Sequence, residues 1–421
     1  MTMNVQTDRS LIRERGRSVR YALLSFTAPE PTRAVARQPL SVAFVIDRSG
    51  SMGGSKIELA RKAVIQALGM LRAEDRFSVI AYDDQIEVVV SQTSASQEAL
   101  RNAAEEVRRI EARGSTDLAA GWLKGCEQIA QGLRDGGTTR CLLLSDGLAN
   151  HGITDRDELG RHSRELGARG IRTSCLGIGD DYDERLLETI ASESRGHSYH
   201  VETAVQIADI LTSELGEALE TVARDVVIHV QPEGRVSVKT LNRYPLVANA
   251  GGSVSLQLGD LAARQEVSLV FALKFAAGER GTGLSVTFMV SDATGTLSMP
   301  DVNIAWTFAD HEVNDAQTRN RIVDRAVAQL HAATAKAEAL ELNRSGNFPE
   351  ARKRLERTAR RIEKYAGDDP TLLALVADLR KTHEVYSAPM AAADVKRAYF
   401  QSMNVSYSRS PEGKARRSPT S

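Results

Sequence analysis

Two carboxylates and three hydroxyls, drawn from three separate segments, are the groups in this chain best suited to chemistry. Asp47, Ser49 and Ser51 stand at alternate positions where the apolar run Val42-Ala43-Phe44-Val45-Ile46 ends. Thr116 lies in Gly114-Ser115-Thr116-Asp117-Leu118, just before a helical stretch, and Asp146 closes a second apolar run, Cys141-Leu142-Leu143-Leu144-Ser145. All five offer oxygen; none offers nitrogen or sulfur. Such a set suits a hard divalent cation, magnesium first and manganese or calcium after it, whereas zinc would want His or Cys. D-x-S-x-S alone also describes an ordinary capped turn, so the expectation rests on the three segments together.

To meet at one point, both aspartates must sit at the carboxyl ends of neighbouring strands. The surrounding pattern provides such strands. Ile57, Ala60, Val64, Ala67, Leu68 and Leu71 recur at helical spacing, and Arg76 to Tyr82 reads as a strand. Strands around Glu87–Val90, Ile171–Gly179 and His197–Val201 alternate with helices at 99–110, 158–168, 184–194 and 205–219. This is the signature of a doubly wound, Rossmann-like α/β sheet with helices on both faces.

With these residues in view, roughly 39–216 resembles the von Willebrand factor type A domain carrying a metal-ion-dependent adhesion site. The family motif D-x-S-x-S, T, D falls on Asp47, Ser49, Ser51, Thr116 and Asp146. The resemblance implies that the hydroxyls bind the ion directly and that one or both aspartates act through water. It also implies an open position for a partner's carboxylate. Asp117 is then expected to support the ligands from behind, although an acidic residue in a helix's first turn is an equally simple reading. The implied function is metal-dependent protein binding, as a scaffold. By analogy alone, the partner would be an AAA+ ATPase or a kinase and phosphatase signalling set.

Beyond the α/β region the period changes to two. Val226 to Val230, Val236 to Val238, Val254 to Leu258, Val267 to Phe275, Leu284 to Val290 and Ile304 to Phe308 alternate, as half-buried strands of an antiparallel β-sandwich would. Residues 18–28 also read as a strand but precede the α/β region, so they are expected to join the later sheet, making the α/β domain an insertion. The predicted organisation is an arm at 1–38, an α/β domain at 39–216, a sandwich at 217–310, a helical hairpin region at 311–386 and a disordered tail at 387–421. Ser345-Gly346-Asn347-Phe348-Pro349 resembles a tetratricopeptide hairpin turn, but a single turn is read as a plain helical hairpin.

A chain of 421 residues, 42% hydrophobic, can build more than one core. Its formal net charge of -1 and lack of basic stretches interleaved with aromatics argue against nucleic acid. The first residues lack the apolar core of a secretory signal, and no stretch is long and apolar enough to span a bilayer, so a cytoplasmic location is expected. Cys126, Cys141 and Cys175 are expected as reduced, buried thiols.

Enzymatic readings fare less well. A dehalogenase-type phosphatase needs an acid where Ser49 stands; a Gly-x-Ser-x-Gly hydrolase elbow fails at the first position of Ser49-Gly50-Ser51-Met52-Gly53; and Gly53-Gly54-Ser55-Lys56 has the wrong order for a phosphate loop. His197 and His200, on opposite faces of a strand, are read as structural. The chain is therefore expected not to be an enzyme, the alternatives being a structural protein with a loop-stabilising ion or a metal-dependent hydrolase.

Overall fold

Three strands open the chain: β1 (Asn4–Thr7), β2 (Leu11–Arg13) and β3 (Ser18–Thr27). The computed structural model describes residues 2–30, 38–132 and 137–418. It divides into two units, one of Met1–Glu30 with Val222–Ser421 and one of Pro31–Thr221.

The second unit runs β4 (Leu40–Asp47), α1 (Ser55–Leu68), β5 (Arg76–Tyr82), β6 (Ile86–Ser94), α2 (Gln97–Arg108), α3 (Leu118–Gln131), β7 (Thr138–Ser145), α4 (Arg156–Ala168), β8 (Thr173–Ile178), α5 (Glu184–Glu193), β9 (Ser198–Val201) and α6 (Gln206–Leu219). Its sheet has the order β6-β5-β4-β7-β8-β9 and is parallel except for the antiparallel β5–β6 pair. Every residue of β4 and β7 is buried, which explains why they read as unbroken apolar runs rather than alternating ones. The two are neighbours, paired from Leu40–Thr138 to Ile46–Leu144. The chain leaves β4 towards β5 on one side and returns to β7 on the other, so the crevice at their carboxyl ends is the point where strand order reverses.

Helices α1, α2 and α6 cover one face through residues such as Val64, Leu68, Val107, Leu211 and Leu215. On the other face α3 approaches so closely that it needs glycines one turn apart. A methyl on Gly121 would lie 2.4 Å from Tyr82 Cγ, and one on Gly125 2.4 Å from Val45 Cγ2. Between them Trp122 is fully buried, its indole Nε1 donating to Thr173 Oγ1 at 2.9 Å. The three cysteines are buried and free.

The first unit continues with β10 (Thr221–Pro232), β11 (Val236–Thr240), β12 (Leu246–Ala248), β13 (Val254–Ala262), β14 (Glu266–Phe275), β15 (Gly283–Ser291) and β16 (Val302–Ala309). These and the opening strands form two sheets, β1-β3-β14-β11 and β12-β13-β10-β15-β16-β2. Strand β3 is antiparallel to both β1 and β14, the latter in unbroken register from Ser18–Phe275 to Thr27–Glu266. The apolar faces of the two sheets share one core, in which Phe271 packs on Phe288 and Phe275 on Trp306.

Five helices follow: α7 (His311–Asp315), α8 (Arg321–Arg344), α9 (Phe348–Ala366), α10 (Pro370–Val385) and α11 (Ala392–Ser406). The last corrects the expected disordered tail at 387–421. Val395, Tyr399, Phe400 and Met403 recur at helical spacing and are buried, and α11 packs on α8. The Ser-, Arg- and Pro-rich composition of the last twenty residues hid this, yet even there the chain bonds back to the sheet, Glu266 N donating to Arg416 O at 2.9 Å. Residues 419–421 of that segment lie outside the described residues. Among the described residues no helix is long and apolar enough to cross a membrane.

The close approach of α3 yields a stability prediction. Gly121→Ala should lower the unfolding free energy by about 1–3 kcal/mol through overpacking against Tyr82. Gly216→Ala, in α6 where nothing lies within 4 Å of the added methyl, should be neutral or raise it by up to about 1 kcal/mol. Denaturant unfolding of the two variants checks the contrast, and equal effects would contradict the packing described.

Candidate metal centre

Strand β4 delivers Asp47 into the crevice with no exposed surface, so its carboxylate must be supplied with donors. The turn provides them. Asp47 Oδ1 accepts from the Ser49 backbone N–H at 2.8 Å, and Oδ2 accepts from Ser145 Oγ at 2.8 Å and, more weakly, from Tyr82 OH at 3.4 Å. Burial raises the Asp47 pKa above its ordinary value and the neighbouring Asp146 charge adds to this, while the bonds from Ser49 and Ser145 oppose it.

The same turn brings the two serines together, with Ser49 Oγ and Ser51 Oγ 3.1 Å apart. Ser51 Oγ in turn donates to Asp146 Oδ1 at 2.8 Å. Thr116 joins them from the other loop. Its backbone N–H donates to Asn150 Oδ1 at 3.2 Å, and a methyl on Gly147 would lie 3.4 Å from Thr116 Oγ1 and 3.7 Å from Ser51 Oγ. Ser49 and Thr116 are buried and Ser51 is exposed, so the group opens to solvent on the Ser51 side.

An ion-pair network centred on the buried Arg48 and Asp83, with exposed partners in Glu87 and Arg113, ties the loops to one another. Arg48, beside Asp47, pairs with Asp83 at 3.2 Å and with Glu87 at 2.5 Å, and Arg113 pairs with Asp83 at 2.8 Å. Burial alone would push the Asp83 carboxyl up, but the bonds from Arg113 and the Gln85 N–H, with the charges of Arg48 and Arg113, outweigh it and hold the pKa below its ordinary value. Backbone bonds from Arg113 N to Arg48 O at 2.6 Å and from Gly50 N to Gly114 O at 3.1 Å complete the clasp between the Ser49 and Thr116 loops. Asp117 caps α3, its Oδ1 accepting from Ala120 N at 3.0 Å, while Oδ2 faces His151 Nδ1 at 3.2 Å and its own N–H donates to Asp83 O at 2.8 Å. Asp117 thus stands one position before the first turn of α3, as its N-cap, and these bonds run to Ala120, His151 and Asp83.

Sequence reasoning missed three contributors. Lys56, in the first turn of α1, forms an ion pair with Asp146 Oδ2. Ser145 and Tyr82 bond Asp47 from the ends of two neighbouring strands. Only the Ser-Asp pair at 145–146 carries any sequence signal, since Lys56 and Tyr82 depend on which strands are adjacent.

The chemistry of the donors suits a small hard cation. Around an octahedral ion with bonds of about 2.1 Å, adjacent ligand oxygens lie about 3 Å apart. The Ser49–Ser51 separation of 3.1 Å is close to that edge. His197 and His200 do other work. His197 precedes β9 and meets Glu214 at 3.0 Å, near Glu217, at the opposite end of the sheet. Glu214 also accepts from Ser174 Oγ at 2.7 Å and Tyr199 OH at 2.5 Å and lies 3.3 Å from Arg140 Nε, so its oxygens are already engaged. His200 Nδ1 lies 2.8 Å from Tyr182 OH.

Known proteins share this architecture. Residues 41–213 match the family model for the von Willebrand factor type A domain. An uncharacterized protein of Synechocystis is 28% identical over 56% of this chain and 57% of its own length. The inter-alpha-trypsin inhibitor heavy chain H1 of Mesocricetus auratus is 30% identical over 38% of this chain but only 18% of its own. The chain thus spans little more than half of the first relative and less than a fifth of the second. A solved structure described as von Willebrand factor type A from Catenulispora acidiphila aligns with a TM-score of 0.69 at 19% identity, covering 93% of this chain and 97% of that one. At such identity the likeness speaks for the fold. With the sheet, the crevice and the family match in agreement, the chain carries a von Willebrand factor type A domain over residues 41–213.

Proposed function

We propose that this domain is a metal-dependent protein-binding module in which a divalent cation, magnesium foremost, captures an Asp or Glu carboxylate of a partner. Domains of this kind commonly mediate protein–protein interaction. The observation that carries the reading is the convergence of Ser49, Ser51 and Asp146 within hydrogen-bond distance, with the Thr116 hydroxyl beside the same glycine. Ser49, Ser51 and Thr116 would hold the ion, with Asp47 and Asp146 balancing its charge. A bound ion supplies Lewis-acid attraction for an incoming carboxylate, and binding rather than turnover is the role we assign.

Charge supports this role. The Asp47 and Asp146 carboxylates and the Lys56 ammonium, set around a divalent ion, leave one net positive charge. A site of that sign attracts an anionic side chain, whereas full neutralisation would not. Leu148, two residues beyond Asp146 and 56% exposed, adds apolar area on the same loop.

Two measurements test the reading. In calorimetric titration with manganese, the wild type should bind one ion, and Thr116→Ala and Ser51→Ala should each weaken binding about tenfold or more, roughly 1.4 kcal/mol, with unchanged circular dichroism. In lysate pull-downs with magnesium, a partner should be retained that is lost both with chelator and with Thr116→Ala. An identical set of retained proteins in all three conditions would leave the ion a structural role at most. Lys56→Met gives an independent check on the charge argument. It should tighten manganese binding by about tenfold while weakening capture of an acidic partner, because the lysine's charge repels the first and attracts the second. Parallel losses in both would contradict it.

A further inference from the structure

The buried side of α9 is ordinary: Ala351, Leu355, Ala359, Ile362 and Ala366 point inward at helical spacing. Its other side carries a concentration of cations that the core does not require. A groove of about 550 Å³ lies along it, and six of the eight described residues lining it are Lys or Arg. Three of the six have acidic partners: Lys353 with Glu350, Arg354 with Glu338, and Arg360 with Glu356. Arg357, Arg361 and Lys364 are exposed and have no acidic side chain within ion-pair distance among the described residues.

These three are spaced i, i+4 and i+7, so they line one face of the helix over about 10 Å. Ordinary solvated helix faces mix signs and pair their charges, as Lys353, Arg354 and Arg360 do here, whereas Arg357, Arg361 and Lys364 stand outside these pairs. The effect reaches a neighbour on α8. Burial first, and then the guanidiniums of Arg361 and Arg354, push the His331 imidazole down to about 4.

We propose that this face of α9 is a docking site for an acidic protein segment, with Arg357, Arg361 and Lys364 as its carboxylate-binding residues. The chemistry selects that partner over other anions. None of the described lining residues is aromatic, so there is no platform on which bases would stack. None is a large apolar residue that would enter a bilayer. Arginine forks suit carboxylates, and alternate residues of an extended segment lie about 6.6 Å apart. That spacing compares with the axial rise of about 6 Å between Arg357 and Arg361. The site is independent of the metal centre.

The test uses the full chain, with chelator present so that the metal centre contributes nothing. Fluorescence anisotropy should show a labelled peptide of alternating Glu and Ser binding, a Gln and Ser control not binding, and affinity falling as salt is added. The triple variant R357Q/R361Q/K364Q should weaken binding about tenfold or more with an unchanged thermal midpoint, while Arg352→Gln, which changes an exposed residue bonded to His383, should bind as the wild type does. Absence of peptide binding, or equal binding by the triple variant, overturns the proposal. Variant-sensitive binding to labelled duplex DNA or to phosphatidylserine vesicles, without binding to the acidic peptide, overturns the choice of partner.

Discussion

A carboxylate without solvent contact at the end of a buried strand is costly unless every lone pair finds a donor, and the α/β unit is arranged around this demand at Asp47. The backbone turns sharply enough to present the Ser49 N–H, β7 contributes Ser145 and β5 contributes Tyr82. Each donor belongs to a different stretch of chain, so satisfying Asp47 fixes how β4, β5 and β7 lie at their carboxyl ends. The serine pair and Asp146 then fall into place as neighbours of those donors. Across the loops, Asp83 meets the same demand with two arginines, and in doing so positions the Thr116 segment.

How much of this was legible follows from what local sequence can encode. Strands buried on both faces produce continuous apolar runs, so β4 and β7 announce themselves, and with them the polar residues that terminate them. The alternating strands of the flanking unit are equally plain, because one face meets the core and the other does not. Strands β1, β2 and β12 are too short for alternation to register. The pairing of Lys56 with Asp146, and of Arg48 and Arg113 with Asp83, depends on strand order and loop path, which no local pattern carries. Helix α11 was obscured by a composition shift just after its last apolar residues. There, spacing was the better guide than residue frequency.

The two units use charge in opposite ways. In the α/β unit nearly every charged side chain near the crevice is matched, as burial requires, and its remaining capacity faces one opening. Along the groove of α9 three of the six cations are matched, and leaving the others unmatched costs little at the surface because water screens them. Excess charge is therefore tolerable in one place and forbidden in the other, and its location reflects the dielectric around it rather than composition.

The long register between β3 and β14 has a consequence for synthesis. Strand β3 is complete at Thr27, but its partner begins only at Glu266. At ribosomal speeds of about 5–20 residues per second, β3 waits roughly ten to fifty seconds for that neighbour. During that time the whole α/β unit emerges and has time to fold. Until β14 arrives, one long edge of β3 lacks its partner, and the other pairs with the short strand β1. Nascent chains are thus most exposed to edge-to-edge association in that interval, and its length is set by the size of the inserted domain rather than by the stability of the finished fold.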